Sequence, residues 1–201
     1  MGTTPIQVIG LPGSLRAQSY TRRAVEIALQ GAAQVGAVTR LLDLGSYGIA
    51  FDDDPEHPSP GTLRLREDVR QAQGVILGTP EYHASFSGVI KLALDLMGFE
   101  QFEGKLVGLV GVSGGKMGAV NALTNLRMVG RSLHAWVVPE QVSISEAWRA
   151  FNSDGTFKDA SLQDALLDLG RQVARFAFLH HSAQALDFLR AWEQAPHNPG
   201  G

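Results

Sequence analysis

The sequence predicts a three-layer, doubly wound α/β fold built on a parallel sheet of about five strands. Two observations carry that prediction. Short unbroken apolar runs, at Ile6 to Leu11, Gly74 to Thr79 and Leu106 to Val112, have the composition of strands covered on both faces. Between them lie longer segments whose apolar residues recur at helical spacing, so strand and helix alternate along the chain. Alternation of this kind builds right-handed βαβ crossovers, which lay helices on both faces of a parallel sheet.

Taken in order, Ile6 to Leu11 ends in Gly10, Pro12 and Gly13, a strand followed by a tight loop. A helix follows from Ala24, where Val25, Ala28, Leu29, Ala32 and Val35 share one face and Gly36 supplies the stop. Val38 to Leu44 reads as a second strand. The stretch Gly45 to Gly61 carries Asp52, Asp53, Asp54, Pro55, Pro58 and Pro60 and reads as a solvated loop without chemistry, ahead of a helix over Leu63 to Ala72. Gly74 to Thr79 is the third strand, stopped by Pro80. Phe86, Val89, Ile90, Ala93, Leu94 and Met97 then define an amphipathic helix. Leu106 to Val112 is the fourth strand, Ala119 to Leu133 a helix, and Ala135 to Val138 a last short strand before Pro139. In the closing helix Leu162, Leu166, Leu169, Val173 and Phe176 keep one face. These elements predict one domain over residues 1–201, with a core from about 5 to 180 and a tail from 181 to 201 that frays toward Pro196 to Gly201.

Composition narrows the chemistry. A formal charge of -3 gives no basic field, so neither nucleic acid nor an anionic membrane is an expected partner. There is no cysteine, which removes disulfides, thiolate metal sites and a redox dithiol. Redox chemistry, if present, then comes from a bound cofactor. Met1 to Pro5 lacks a basic leader region and no apolar run approaches the roughly 20 residues of a membrane span, so the cytoplasm is the expected location. Six histidines show no paired-ligand spacing and no G-x-S-x-G elbow occurs, so neither a metal site nor a hydrolase is expected.

In doubly wound sheets ligands bind beyond the carboxyl ends of the strands, which points to the loops at Pro12 to Thr21, Pro80 to Ser87 and Ser113 to Gly118. The first runs straight into a helix. Its Ser14, Ser19 and Thr21 hydroxyls, the Arg16 guanidinium and the free amides of a helix N-terminus match a phosphate monoester. The same residues also suit an ordinary turn in which Ser19 caps the helix and Arg16 lies on the surface. A G-x-G-x-x-G fingerprint is absent here, and Gly115-Lys116-Met117 does not complete a G-K-[ST] phosphate loop, so a mononucleotide is favoured over a dinucleotide or ATP. In the second loop Pro80 removes a backbone donor and directs the chain, and Tyr82 offers a flat wall. Glu81 reads as structural, its carboxylate pairing with a neighbouring donor or a partner chain.

Gly13-Ser14-Leu15-Arg16 with Ser19 and Arg22, followed by Pro80-Glu81-Tyr82-His83 and by Ser87-Gly88-Val89-Ile90-Lys91-Leu92-Ala93-Leu94-Asp95, resembles the two signature stretches of the NAD(P)H-dependent FMN reductase family. That family is flavodoxin-like and includes quinone, azo-dye and chromate reductases. The resemblance implies FMN phosphate at Ser14, Arg16, Ser19 and the Tyr20 and Thr21 amides. It implies the isoalloxazine ring against Pro80, Glu81, Tyr82 and His83, with a third contact loop at Ser113, Gly114 and Gly115. His83 and Tyr20 depart from the family, which commonly has Asn or its like at both places. The resemblance further implies NADPH or NADH as co-substrate, a small-molecule electron acceptor, and a homodimer or a tetramer of dimers. No catalytic side chain is expected, since hydride transfer needs placement rather than an acid or base. A non-enzymatic electron carrier and a flavin-sensing module are the alternatives.

Overall fold

In a computed structural model, which describes residues 5–54, 56–152 and 155–194, the first apolar run forms β1 (Gln7–Pro12), followed by α1 (Tyr20–Gln34) and β2 (Val38–Leu41). Then come α2 (Pro60–Arg70), β3 (Gly74–Tyr82), the short β4 (Ser85–Phe86), α3 (Gly88–Asp95) and α4 (Phe99–Phe102). The second half supplies β5 (Leu106–Val112), α5 (Val120–Ser132), β6 (Trp136–Ile144), α6 (Ala147–Ala150), α7 (Ala160–His181) and α8 (Ala183–Gln194). Five strands pair in parallel in the order β2-β1-β3-β5-β6, and β4 folds back antiparallel on the end of β3. Strand order reverses at β1, so the crevice beside it opens at the carboxyl ends of β1 and β3.

Side chains alternate across the sheet. Val8, Ile76 and Val110 pack against α1 and α7, while Ile9, Leu77 and Leu109 pack against α2, α3 and α5. Both faces are therefore buried, as the unbroken apolar runs require. α1 and α7 meet through Gly31 and Gly170, where the two backbones come into direct contact.

Several predicted boundaries shift, each where a specific hydrogen bond or pairing intervenes. The second strand ends at Leu41 rather than Leu44, because the Asp43 carboxylate accepts from Gly45 N at 3.1 Å and turns the chain into a short helical turn at Leu44–Ser46. The helix expected from Phe86 begins at Gly88: Phe86 is paired with Glu81 in the hairpin, and Ser87 caps the helix by accepting from Ile90 N at 3.3 Å. The last strand does not stop at Val138 but runs through Pro139 to Ile144. β6 is an edge strand whose register against β5 slips between Val107 and Leu109, and the Arg127 guanidinium takes the Val138 and Pro139 carbonyls at 2.8 and 3.2 Å. Phe176, expected on the inner face of α7, is half-exposed, and Ala174 and Ala177 occupy the buried positions. The predicted tail from 181 continues as α8 to Gln194, while 195–201, including the expected frayed end, lie outside the described residues.

The stretch read as a solvated loop, Gly45 to Gly61, is braced. Asp53 accepts from Ser59 N at 2.8 Å and from the Ser59 and Thr62 hydroxyls, while the buried Tyr47 donates its hydroxyl to Asp68.

Lys105, just before β5, is 7% exposed, and its Nζ donates to the carbonyls of Arg70 at 2.9 Å and of Ala72, closing the end of α2. Burial, with the neighbouring Arg70 charge second, pulls its pKa down from 10.5 to about 8. Between those values the unfolded chain binds more protons than the folded one, so this lysine makes stability rise with pH. Tyr47 acts with the opposite sign. Its pKa is raised from 10.0 by burial and by the Asp68 hydrogen bond, so above that pH only the unfolded tyrosine ionises and stability falls. Urea unfolding from pH 7 to 11 is expected to show stability climbing above pH 8 and declining past pH 10, and Lys105→Met should remove the climb. A wild-type profile that falls monotonically from pH 8 contradicts the assignment.

Candidate active site

Three loops converge at the carboxyl edge of the sheet, and backbone geometry holds each in place. In the first, Gly13 N donates to Gly78 O at 2.7 Å, and the buried Ser87 hydroxyl donates to Gly13 O at 2.6 Å. One serine thus caps α3 and ties it to the loop in front of α1. Ser19 caps α1 by accepting from Arg22 N at 3.1 Å. The first two amides of that helix, at Tyr20 and Thr21, have no acceptor among the described residues and face the positive end of the helix dipole. The Tyr20 ring is occupied elsewhere: it stacks on Phe151 with centroids 5.0 Å apart, which locks α1 to the segment after α6.

The second loop is the tip of the β3–β4 hairpin. Tyr82 pairs with Ser85, leaving His83 and Ala84 as the turn, with φ of 50° and 61°. Two left-handed residues in a row make the turn that suits right-twisted strands, a conformation that Asn adopts more readily than His. The Glu81 carboxylate accepts from Ala122 N at 2.9 Å, in the first turn of α5, so its charge is directed at a helix N-terminus. In the third loop Ser113 N donates to Ile144 O at 2.8 Å and Ser113 Oγ accepts from Gly115 N at 3.0 Å. Ala147 N donates to Ser113 O at 3.0 Å and brings α6 alongside.

Together these loops enclose a cavity of about 240 Å³. Ser14, Arg16, Ser19, Tyr20 and Thr21 line one side, and Pro80, Glu81, Tyr82, Ser113 and Gly114 line the other. His83 and Gly115 are not part of its lining; the first forms the hairpin turn and the second bonds back to Ser113. Gln18, Val112, Ala147 and Trp148 also line it, and sequence reasoning missed them. Trp148 carries no local signal, since only the return of the chain after β6 brings it to the first loop. A larger cavity of about 630 Å³, bounded by Ile6, Val35 and Phe178, opens at the amino end of β1. It lies at the wrong edge for a doubly wound sheet and holds no cluster of convergent polar groups.

The lining combines a donor-rich end with a flat end. Among the described residues Arg16 is its single cation, with its guanidinium carbon 5.8 Å from the centroid of the Tyr82 ring, at the boundary between the two. A Cβ built on Gly114 meets no atom within 4 Å, so the third loop leaves open space where a planar ring can approach the backbone. Phosphate at one end and a heteroaromatic ring at the other is the outline of a flavin mononucleotide, and the residues present fit it. Among the described residues no three His, Cys, Asp or Glu side chains group to hold a metal, and no helix is long and apolar enough to cross a membrane.

Comparison with known proteins agrees. Residues 6–149 match the family model for NADPH-dependent FMN reductases. The chain is 31% identical over 180 residues to the NADPH-dependent FMN reductase ArsH of Shigella flexneri, covering 87% of this chain and 70% of that one. Its structure is similar to that of FerB, a flavoenzyme NAD(P)H:(acceptor) oxidoreductase of Paracoccus denitrificans, with a TM-score of 0.71, 26% identity and coverage of 87% and 98%. A flavodoxin from the domain Archaea aligns with a TM-score of 0.57 at 12% identity, covering 86% and 99%, a likeness of fold alone.

Proposed function

Because this chain belongs to the NADPH-dependent FMN reductase family, and is thus a flavodoxin-like oxidoreductase that uses FMN and NAD(P)H, we propose that its FMN lies in the cavity between the β1, β3 and β5 loops. The observation that carries this placement is the pairing of the Ser14 to Thr21 donors with the open, flat floor of Pro80 to Tyr82 and Ser113 to Gly114. FMN supplies the two-electron chemistry, accepting hydride from the nicotinamide and passing the electrons on. The chain's own work is placement. Ser14, Ser19 and Arg16, with the Tyr20 and Thr21 amides, hold the phosphate. Pro80 and Tyr82 flank the ring, and Ser113 and Gly114 bring backbone to its edge. Ser87 keeps the first two loops in register, and the Ala122 amide holds Glu81. With the ring held by these residues, nicotinamide and acceptor would approach in turn through the open side of the same cavity, and the chain's role would be to position each of them.

The acceptor is a flavin, quinone, azo dye or metal oxyanion, and the protein works in the cytoplasm as a homodimer or a tetramer of dimers. NADPH and NADH are both candidate donors. The test is the visible spectrum of the purified protein, followed by anaerobic bleaching with each nicotinamide. Steady-state kinetics with FMN saturating and a quinone varied should then give parallel double-reciprocal lines, with excess quinone competing against the dinucleotide. Flavin that stays oxidised with both nicotinamides sinks the reductase reading. Intersecting lines mean instead that a second binding surface exists.

A further inference from the structure

The segment between β6 and α7 runs across the carboxyl edge of the sheet, and none of its residues is among those that hold the phosphate or flank the ring. Contacts within this chain anchor it at both ends. At its start Glu146 N donates to Gly115 O at 3.1 Å and Ala147 N to Ser113 O at 3.0 Å, which ties α6 to the third loop. At its end Phe151 stacks on Tyr20, the first residue of α1, with centroids 5.0 Å apart, and Phe157 packs on Phe151 at 4.1 Å. Ala147, Phe151 and Phe157 are buried in the same cluster as the inner faces of α1 and α7. The segment therefore spans from the ring-side loop to the phosphate-side loop, and it carries Trp148 between the two anchors, into the lining of the cavity.

Trp148 is held there by its own neighbours. Glu146 has φ of 42° and ψ of 49°, a left-handed conformation that a β-carbon disfavours, so it persists only because the bonds around it impose it. The Arg149 guanidinium lies over the indole, 5.5 Å from the ring centroid, and the Glu146 carboxylate takes Arg149 at 3.4 Å. Ala147 and Ala150 pack on the core, whereas Trp148 belongs to neither core cluster. Tyr82 reaches the same cavity from the other face of the sheet, since its hairpin is tied to α5 through Glu81. An indole fixed between the phosphate donors and Ser113, across from Tyr82, stands where the chain that joins phosphate to ring must pass.

We propose that Trp148 is a flavin-retaining residue, whose indole packs along the ribityl chain of FMN and keeps the cofactor bound as a prosthetic group rather than an exchanging substrate; the inference rests on the placement of FMN in this cavity. The ribityl chain offers C–H surface to the indole face and hydroxyls to its Nε1 donor. Because the contact is with the chain and not with the ring, retention leaves the open side of the cavity to nicotinamide and acceptor.

The test compares three flavins that share the ring: FMN, riboflavin, which lacks the phosphate, and lumiflavin, which lacks the ribityl chain as well. Each is titrated by fluorescence into flavin-stripped wild type and into the Trp148→Ala, Trp148→Phe and Arg16→Ala variants. Trp148→Ala should weaken FMN and riboflavin each about tenfold, leave lumiflavin unchanged, and speed release of FMN from the loaded protein by a similar factor. Trp148→Phe should stay within about threefold of wild type. Light scattering should give the same mass for all. Unchanged FMN and riboflavin affinity in Trp148→Ala overturns the proposal. Equal losses for all three flavins place the indole on the ring, and a loss for FMN alone places it at the phosphate; either overturns it. So does a change of mass in Trp148→Ala, which assigns the indole to a contact between copies of the chain. Arg16→Ala keeps the two readings apart: FMN bound as tightly there as in wild type counts against the placement of the cofactor, whereas a loss in Arg16→Ala with none in Trp148→Ala counts against Trp148 alone.

Discussion

Gly170→Val is expected to destabilise the protein by about 3 kcal/mol or more, at or above the top of the usual range for overpacking. A Cβ at Gly170 would stand 1.7 Å from Ala28 O, and one at Gly31 would stand 2.0 Å from Leu167 O. Both clashes are with backbone, so no side chain can swing away; α1 and α7 must separate and lose the packing of Ala28, Ala32, Val173 and Ala174 on that face of the sheet. Helix propensity pulls the other way, since glycine inside a helix costs up to about 1 kcal/mol relative to alanine. Overpacking against a rigid neighbour outweighs that gain. Gly88→Ala is the control: Gly88 opens α3, a Cβ there meets nothing within 4 Å, and the change should be neutral or slightly stabilising. Urea unfolding followed by circular dichroism measures both, and a Gly170→Val protein as stable as wild type would falsify the close helix contact.

The second large effect is on cofactor affinity. Arg16→Ala should weaken FMN by about 1.5 to 3 kcal/mol, the range for a hydrogen bond to a charged group, while leaving riboflavin binding unaltered. The reasoning is geometric. Arg16 is the one cation of the cavity among the described residues, and it stands beside the Ser14, Ser19 and Thr21 hydroxyls and the open amides of α1. Riboflavin, without a phosphate, gives those groups nothing to hold. Wild-type protein should accordingly prefer FMN strongly over riboflavin in fluorescence titrations. Equal losses for both flavins in Arg16→Ala would assign Arg16 to the ring through its contact with Tyr82, at 5.8 Å, rather than to the phosphate.

How far the fold could be read in advance varied with how local its causes are. The strands at Ile6 and Leu106 stand within a residue of where the apolar runs place them, and so does the helix at Val120–Ser132, because burial on both faces or on one stripe is written into every few residues. The third strand begins at Gly74 as expected but is not stopped by Pro80: it runs on to Tyr82, because its end pairs with β5 on one side and folds back into the hairpin with β4. β6 was cut short at Pro139, since proline ends a strand only where its missing N–H is needed, and whether it is needed depends on the edge position of β6. Phe86 has the right spacing for α3 but is drawn into the hairpin by pairing with Glu81, 5 positions earlier in sequence. The loop from Gly45 to Gly61 looked unstructured from its Asp and Pro content. Its order comes from Asp53 reaching Ser59 and Thr62 and from Tyr47 reaching Asp68, partners that composition does not reveal.

For the site the division is the same. Sequence alone determined the sheet, the three loops at its carboxyl edge and the resemblance to FMN reductases, because strand burial, helix caps and the Gly13 to Arg16 and Pro80 to His83 motifs are properties of contiguous residues. Only the tertiary structure decided which of those residues share a cavity. It turned His83 into a hairpin tip, engaged Glu81 with the Ala122 amide and made Ser87 the tie between loops. It also brought Trp148 to one side of the cavity. Apart from the hairpin at His83, each of these depends on contact between segments distant in the chain, where the pairing is chosen by packing and hydrogen bonding across the whole sheet rather than by any local preference.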